Sequence, residues 1–225
     1  MVWFSRRMIT MVALVLLIIG LVYAGFSWKT LVRVVYPVDH GEIISRCSEQ
    51  YGLDPFLITA IILIESGFRE ESTSSKGAAG LMQVMPETAN WVAQQQGLTL
   101  EGNESLYEPA VNIGIGSWYL NSLYQQFGNW VVVLAAYNAG RGNVQKWLTE
   151  SLWSGELSTV SDIPFPETRI YVQRVIRAHW WYHRMYDSDW EVVLEKGAKA
   201  NHPVVEAIGG VLHRIQQVVY SFVER

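Results

Sequence analysis

The chain has 225 residues, of which half are hydrophobic and 12% are aromatic, including ten Trp and eleven Tyr. Its net charge of -4 disfavours a polyanion such as nucleic acid as a partner, and its one cysteine, Cys47, excludes an intrachain disulfide. Once about 35 N-terminal residues are set aside, about 190 remain, which suits one domain with a sizeable core.

The N-terminal segment, residues 1–35, is predicted to be a membrane anchor followed by a short stem. Arg6 and Arg7 precede an uncharged run over residues 8–28. As a helix this run would span roughly 30 Å, the thickness of the hydrocarbon core of a bilayer. The two arginines should stay inside, which places the rest of the chain on the outer side of the cytoplasmic membrane. The alternative is a cleaved signal peptide and a secreted protein, with a poor cleavage site at residues 22–24.

From residue 36 onward the sequence predicts an all-α fold, with no strand alternation and no repeat. Asp54 and Pro55 form a strong helix start, because Asp caps free N–H groups and Pro fits the first turn. Loops are expected at residues 69–80 and 151–166. The predicted helices are one ending at Gly52, then 55–65, 86–96, 109–127, 130–137, 144–150 and 167–186.

Glu65 is the outstanding candidate for chemistry. It ends a helix that is apolar nearly all round, so it is expected at the edge of the core, where desolvation raises the pKa of a carboxyl group. A glutamic acid that is protonated near neutral pH can donate a proton to a leaving oxygen. The alternative interpretation is an ordinary Glu at a helix end, with its carboxylate in water.

Four sequence blocks then follow in order. Residues 65–68 read Glu-Ser-Gly-Phe, and residues 74–86 read Ser-Ser-Lys-Gly-Ala-Ala-Gly-Leu-Met-Gln-Val-Met-Pro. Residues 135–140 read Ala-Ala-Tyr-Asn-Ala-Gly, and residues 166–172 read Pro-Glu-Thr-Arg-Ile-Tyr-Val. Together they resemble the catalytic domain of the soluble-type lytic transglycosylases, a lysozyme-like family related to goose-type lysozyme. The resemblance implies a catalytic domain over residues 36–188.

The resemblance also implies roles for individual residues. Glu65 matches the family's single catalytic acid and base. The substrate-binding candidates are the loop serine Ser74, Met82 and Gln83 of the Gly-Leu-Met-Gln segment, Tyr137 and Asn138 of the Ala-Tyr-Asn motif, Tyr171, and Ser66. Two alternatives remain open, because Met82 could fill the core and Ser66 could satisfy backbone groups at the helix end.

The implied reaction is cleavage of the bond between N-acetylmuramic acid and N-acetylglucosamine in peptidoglycan. Glu65 would protonate the glycosidic oxygen and then deprotonate the muramoyl 6-hydroxyl, which closes a 1,6-anhydro ring. No water is consumed, which fits the lack of a second acid in a matching motif, and no cofactor is expected. The alternatives are a muramidase that hydrolyses the same bond and a non-catalytic wall-binding scaffold on the same fold.

Two other features have less specific interpretations. His179 and His183 lie four residues apart on a predicted helix, but the segment between them contains no acidic residue, so no metal is expected. The C-terminal extension, residues 189–225, contains an apolar stripe that predicts an amphipathic helix over residues 203–223. This helix is predicted to pack on the catalytic domain, on a protein partner or on a second copy, and not on the membrane. The stripe consists of Val204, Ile208, Val211, Ile215, Val218 and Phe222.

Overall fold

The computed structural model describes residues 10–17, 20 and 33–186. Residues 38–186 belong to one compact unit, in which seven α-helices lie between residues 41 and 186. Two 3-10 helices, Asn103–Tyr107 and Leu157–Asp162, connect them, and no β-strand occurs in this part of the chain. The all-α class is therefore confirmed. The helices are α1 Gly41–Tyr51, α2 Pro55–Glu65, α3 Pro86–Gln95, α4 Pro109–Phe127, α5 Trp130–Ala139, α6 Arg141–Thr149 and α7 Pro166–Tyr186.

Helix α2 is the buried centre of the unit. The Asp54 side chain accepts a hydrogen bond from the backbone N–H of Phe56 at 2.8 Å, and Pro55 occupies the first turn, as the sequence predicted. Residues 56–62 are all buried. The helix packs most extensively on α7 and also contacts α1, while α5 packs on α7 as well. Burial on all sides explains why this segment has no polar face.

Two predicted regions differ from the structure by more than two residues, while the other helix ends agree within two. Helix α6 begins at Arg141 and not at Val144, because Gly140, with φ 89° and ψ 137°, ends α5 and caps α6 without an intervening loop. The predicted loop 151–166 contains the 3-10 helix Leu157–Asp162, whose Val160 is buried. Such short turns have too few residues to show a hydrophobic period in the sequence.

The two terminal predictions fall mostly outside the described residues. Residues 8–9, 18–19 and 21–28 of the predicted anchor and the whole of residues 203–223 are not described. None of the helices that are described combines the length and the apolar character needed to cross a bilayer. The anchor, the C-terminal helix and the domain boundaries at residues 36 and 188 remain predictions.

Candidate active site

Glu65 is the last residue of α2, where the buried helix reaches the surface, and its side chain is partly exposed. Burial raises the pKa of the Glu65 carboxyl group to about 7, although the Tyr171 hydroxyl lowers it. The direction of this shift is the one expected for an acid at the end of an apolar helix. None of the other carboxyl groups of the described residues contributes to this pKa shift. Near neutral pH a large fraction of Glu65 is therefore protonated.

Two tyrosines from different helices face this carboxyl group. Burial, and in second place the charge of Glu65, raise the pKa of both Tyr137 and Tyr171 well above the usual value. Both hydroxyls are therefore protonated at any physiological pH. The Tyr137 hydroxyl donates to the carbonyl of Met82 at 2.9 Å. The buried Tyr171 hydroxyl forms no hydrogen bond of normal geometry with the described residues, yet it lies close enough to Glu65 to lower the pKa of that carboxyl.

The loop that follows α2 is folded onto itself beside Glu65. Isolated antiparallel bridges pair Thr73 with Ala79 and Ala79 with Val84. Gly80 has φ 75°, and a Cβ atom there would lie 2.2 Å from both the Leu106 carbonyl oxygen and the side chain of Asn112. Only glycine fits this position without displacing the backbone or Asn112.

Asn112 of α4 holds the loop in place by hydrogen bonds. The sequence alone did not identify this residue. Its side chain is fully buried, and its Oδ1 accepts from the N–H of Met82 at 2.7 Å. Its Nδ2 donates to the carbonyls of Ala79 at 2.9 Å and Leu106 at 2.7 Å. One amide thus satisfies three buried backbone groups. The sequence signal was a lone Asn among the apolar residues at the start of α4.

Three of the predicted substrate-binding residues have side chains that contact other parts of the protein, mainly the loop after α2. Ser66 is 1% exposed and donates to the Leu81 carbonyl at 2.8 Å. Met82 is fully buried, against Gly116. Gln83, with φ 46°, donates to the carbonyls of Ser72 at 2.9 Å and Gly80 at 3.0 Å. These contacts hold the loop in place, and a role of the three residues in substrate binding remains a prediction.

Ser74 and Asn138 are more accessible. Ser74 is partly exposed, and its hydroxyl oxygen accepts from the N–H of Ala78 at 2.9 Å, which leaves the hydroxyl hydrogen available to a ligand. Asn138 is exposed, and its Oδ1 accepts a hydrogen bond from the Thr168 hydroxyl at 2.7 Å. The N–H₂ group of the same amide takes no part in that bond. Both can donate hydrogen bonds at the surface of the domain.

A row of partly exposed aromatic rings extends away from Tyr137. The centroid of the Tyr119 ring lies 5.7 Å from that of Tyr137 and 6.1 Å from that of Trp91, which lies 5.5 Å from Trp118. The guanidinium of Arg141 lies 4.8 Å from the centroid of Trp91. We call this row the aromatic wall. Sequence analysis named only Tyr137, because the other rings come from α3 and α4 and no local spacing connects them.

Comparison with known proteins agrees with this geometry. The family model described as Transglycosylase SLT domain matches residues 42–157. The soluble lytic murein transglycosylases of Salmonella typhimurium and Escherichia coli K12 are 35% and 36% identical over 181 and 173 residues, covering 75% and 74% of this chain. The chain corresponds to only 28% and 26% of the length of those relatives.

Solved structures show the same similarity. An inactive mutant of lytic transglycosylase Slt from Pseudomonas aeruginosa superposes with a TM-score of 0.64 at 34% identity, covering 74% of this chain and 27% of that one. The 70 kDa soluble lytic transglycosylase of Escherichia coli gives the same TM-score and identity, covering 70% of this chain and 26% of that one. The fold and the site define a lysozyme-like helical domain. The chain belongs to the transglycosylase SLT domain family.

Proposed function

We propose that this protein is a peptidoglycan lytic transglycosylase of the cell envelope. It cleaves the β-1,4 bond between N-acetylmuramic acid and N-acetylglucosamine and forms 1,6-anhydromuramic acid. The observation that carries the proposal is the state of Glu65. Its carboxyl group has a pKa of about 7, and no other carboxyl group of the described residues contributes to that value. A single group that can both give and take a proton near neutral pH is what an intramolecular ring closure requires.

The steps balance without water. Protonated Glu65 gives its proton to the glycosidic oxygen, and the bond from that oxygen to C1 of the muramoyl residue breaks. The C6 hydroxyl oxygen of the same residue then bonds to C1, and its proton passes to the Glu65 carboxylate, which restores the starting state. Tyr171, with its hydroxyl close to Glu65, would stabilise the carboxylate present between the two transfers.

The surface of the domain supplies groups suited to a glycan. Ser74 and Asn138 are accessible and have hydrogens to donate to sugar oxygens. The aromatic wall offers ring faces on which pyranose rings stack. We propose that the wall binds the glycan strand on one side of the cleaved bond, since it begins at Tyr137 beside the acid.

We also propose that residues 8–28 anchor the enzyme in the cytoplasmic membrane with the catalytic domain outside. The support is the uncharged sequence after Arg6 and Arg7 and, in the described part, a helical stretch over residues 10–17 with exposed apolar side chains such as Leu14 and Leu16. Fractionation of cells tests this: the protein should remain with the membrane after washing with salt. A soluble mature form beginning near Gly25 would show a cleaved signal instead.

Mass spectrometry of products from purified peptidoglycan tests the reaction. Muropeptides ending in 1,6-anhydromuramic acid are expected, each lighter by one water than the corresponding hydrolysis product. Mainly reducing-end muramic acid would show a muramidase. No release at any pH, with the domain folded, would favour a wall-binding scaffold.

A further inference from the structure

We propose that Asp54, His179 and His183 form a binding site for a divalent transition-metal ion of the Zn²⁺ type. The site lies at the start of α2, at the end remote from Glu65. It is independent of the reaction proposed above.

The three side chains meet at one point although they are far apart in the sequence. The Oδ2 atom of Asp54 lies 2.6 Å from Nε2 of His179 and 2.7 Å from Nε2 of His183. One ligand atom from each residue lies within 4.8 Å of the other two. The two histidines are one turn apart in α7, so both rings leave the same face of that helix.

No acidic residue lies between the two histidines in the sequence. The acid of this cluster is Asp54, which caps the start of α2. Two imidazole nitrogens and one carboxylate oxygen are a common ligand set for zinc, with a fourth position left for water. Asp54 is held in place by its other oxygen, Oδ1, which accepts from the N–H of Phe56. The ring of Phe56 packs edge-on against His183, with ring centroids 4.6 Å apart, and so orients that imidazole.

The distances in the structure are those of hydrogen bonds, and metal binding requires a small expansion. Bonds of about 2.0–2.2 Å in a tetrahedral site place the ligand atoms roughly 3.3 Å apart. Each nitrogen must therefore move away from Oδ2 by about 0.6 Å. The side chains of His179 and His183 are 33% and 41% exposed, so rotation of the rings can provide this movement.

A route to solvent exists beside the site. A cavity of about 540 Å³ is bordered by Asp54 and His179, and none of the residues that line it is Lys or Arg. A hydrated cation can therefore approach Asp54 and His179 through the cavity without meeting a lysine or arginine there. Because α2 is 11 residues long, the ion would lie roughly 16 Å from the Glu65 end and would link α7 to the start of α2.

Isothermal titration of the full-length protein with Zn²⁺ tests the site, with Co²⁺ as a spectroscopic probe of imidazole ligation. The variants are His179→Gln and His183→Gln, which both keep Asp54 as the helix cap. The control is His40→Asn, because His40 also faces a carboxylate, Glu70, at 3.2 Å, but without a second histidine. Asn tolerates the positive φ of 57° at position 40.

We expect one Zn²⁺ per chain in the wild type and in His40→Asn. In His179→Gln and in His183→Gln, the affinity for Zn²⁺ should fall by at least about tenfold, which is the loss typical of disturbed metal sites. Circular dichroism should show the same helix content in all four proteins. Absence of binding by the wild type, or equal binding by all four proteins, would overturn the proposal. In either case the three residues are a hydrogen-bonded cluster and nothing more.

Discussion

The two ends of α2 each hold a carboxyl group, and the surroundings affect the two in opposite ways. At the start, burial alone would raise the pKa of Asp54, but hydrogen bonds from His179, His183 and the N–H of Phe56 lower it to about 2. At the end, burial raises the pKa of Glu65 to about 7, and only Tyr171 opposes the shift. The number of donors decides the outcome, because each donor stabilises the charged form.

The difference shows how one helix can provide both a structural and a chemical acid. Asp54 is permanently charged and is used to fix the helix start. Glu65 has a pKa near neutral pH and is partly exposed to solvent. The dipole of α2 agrees with this division, since a negative charge is favourable at the first turn and unfavourable at the last.

The largest effect is expected for Glu65→Gln, which removes the proton donor while nearly preserving shape. The rate at which the enzyme digests purified peptidoglycan, measured as loss of turbidity, should fall by roughly 10²–10⁴-fold. The exposed Glu71 in the following loop provides a control, and Glu71→Gln should keep its activity. Activity of Glu65→Gln within tenfold of the wild type would remove Glu65 from the mechanism.

A large loss of stability is expected for Asn112→Ala, at the Glu65 end. Three buried backbone groups would lose their partner, which should lower the free energy of unfolding by roughly 2–5 kcal/mol. The exposed Asn90 of α3 is a matched control, for which Asn90→Ala should change stability by less than about 0.5 kcal/mol. Urea unfolding measures both variants. Equal stability of the two would show that the loop does not depend on Asn112.

The pH dependence of stability distinguishes the two ends further. The raised pKa of Glu65 means that the folded protein holds a proton which the unfolded chain releases as the pH rises above 4.5. Between pH 4.5 and about 7, the free energy of unfolding of the wild type therefore falls relative to that of Glu65→Gln. Above about pH 7 the difference between the two free energies is constant. We expect the variant to be more stable at pH 8 by roughly 1–3 kcal/mol. A gap that does not change with pH would contradict the raised pKa.

A smaller effect is expected at the start of the helix. Asp54→Ala removes the cap of α2 and should cost about 1–2 kcal/mol of unfolding free energy. Asp54→Asn retains a good capping group but loses the carboxylate that His179 and His183 contact, so it should recover only part of this loss. Thermal unfolding of the two variants measures the difference. If Asn and Ala are equally destabilising, the charge of Asp54 matters and the cap does not.

The two ends of α2 also differ in how far the sequence predicts them. The helix start at Asp54 and Pro55 follows from local capping chemistry, and the buried position of the run up to Glu65 follows from its apolar residues on all sides. The partners of those residues do not, because His179, His183 and Tyr171 come from α7, more than a hundred residues later. Sequence blocks named Met82 and Gln83 as site residues, but they could not predict the direction of their side chains. That direction is set by the backbone of the folded loop and by Asn112, a contact with no local signature.

The central claim is that Glu65 is a neutral acid near neutral pH, and titration of its carboxyl carbon tests this most directly. Carbon-13 NMR of protein labelled at the glutamate carboxyl groups, with Glu65→Gln to assign the signal, gives the pKa of this residue alone. We predict a midpoint of about 7. A midpoint near 4.5, the ordinary value for glutamate, would contradict the account.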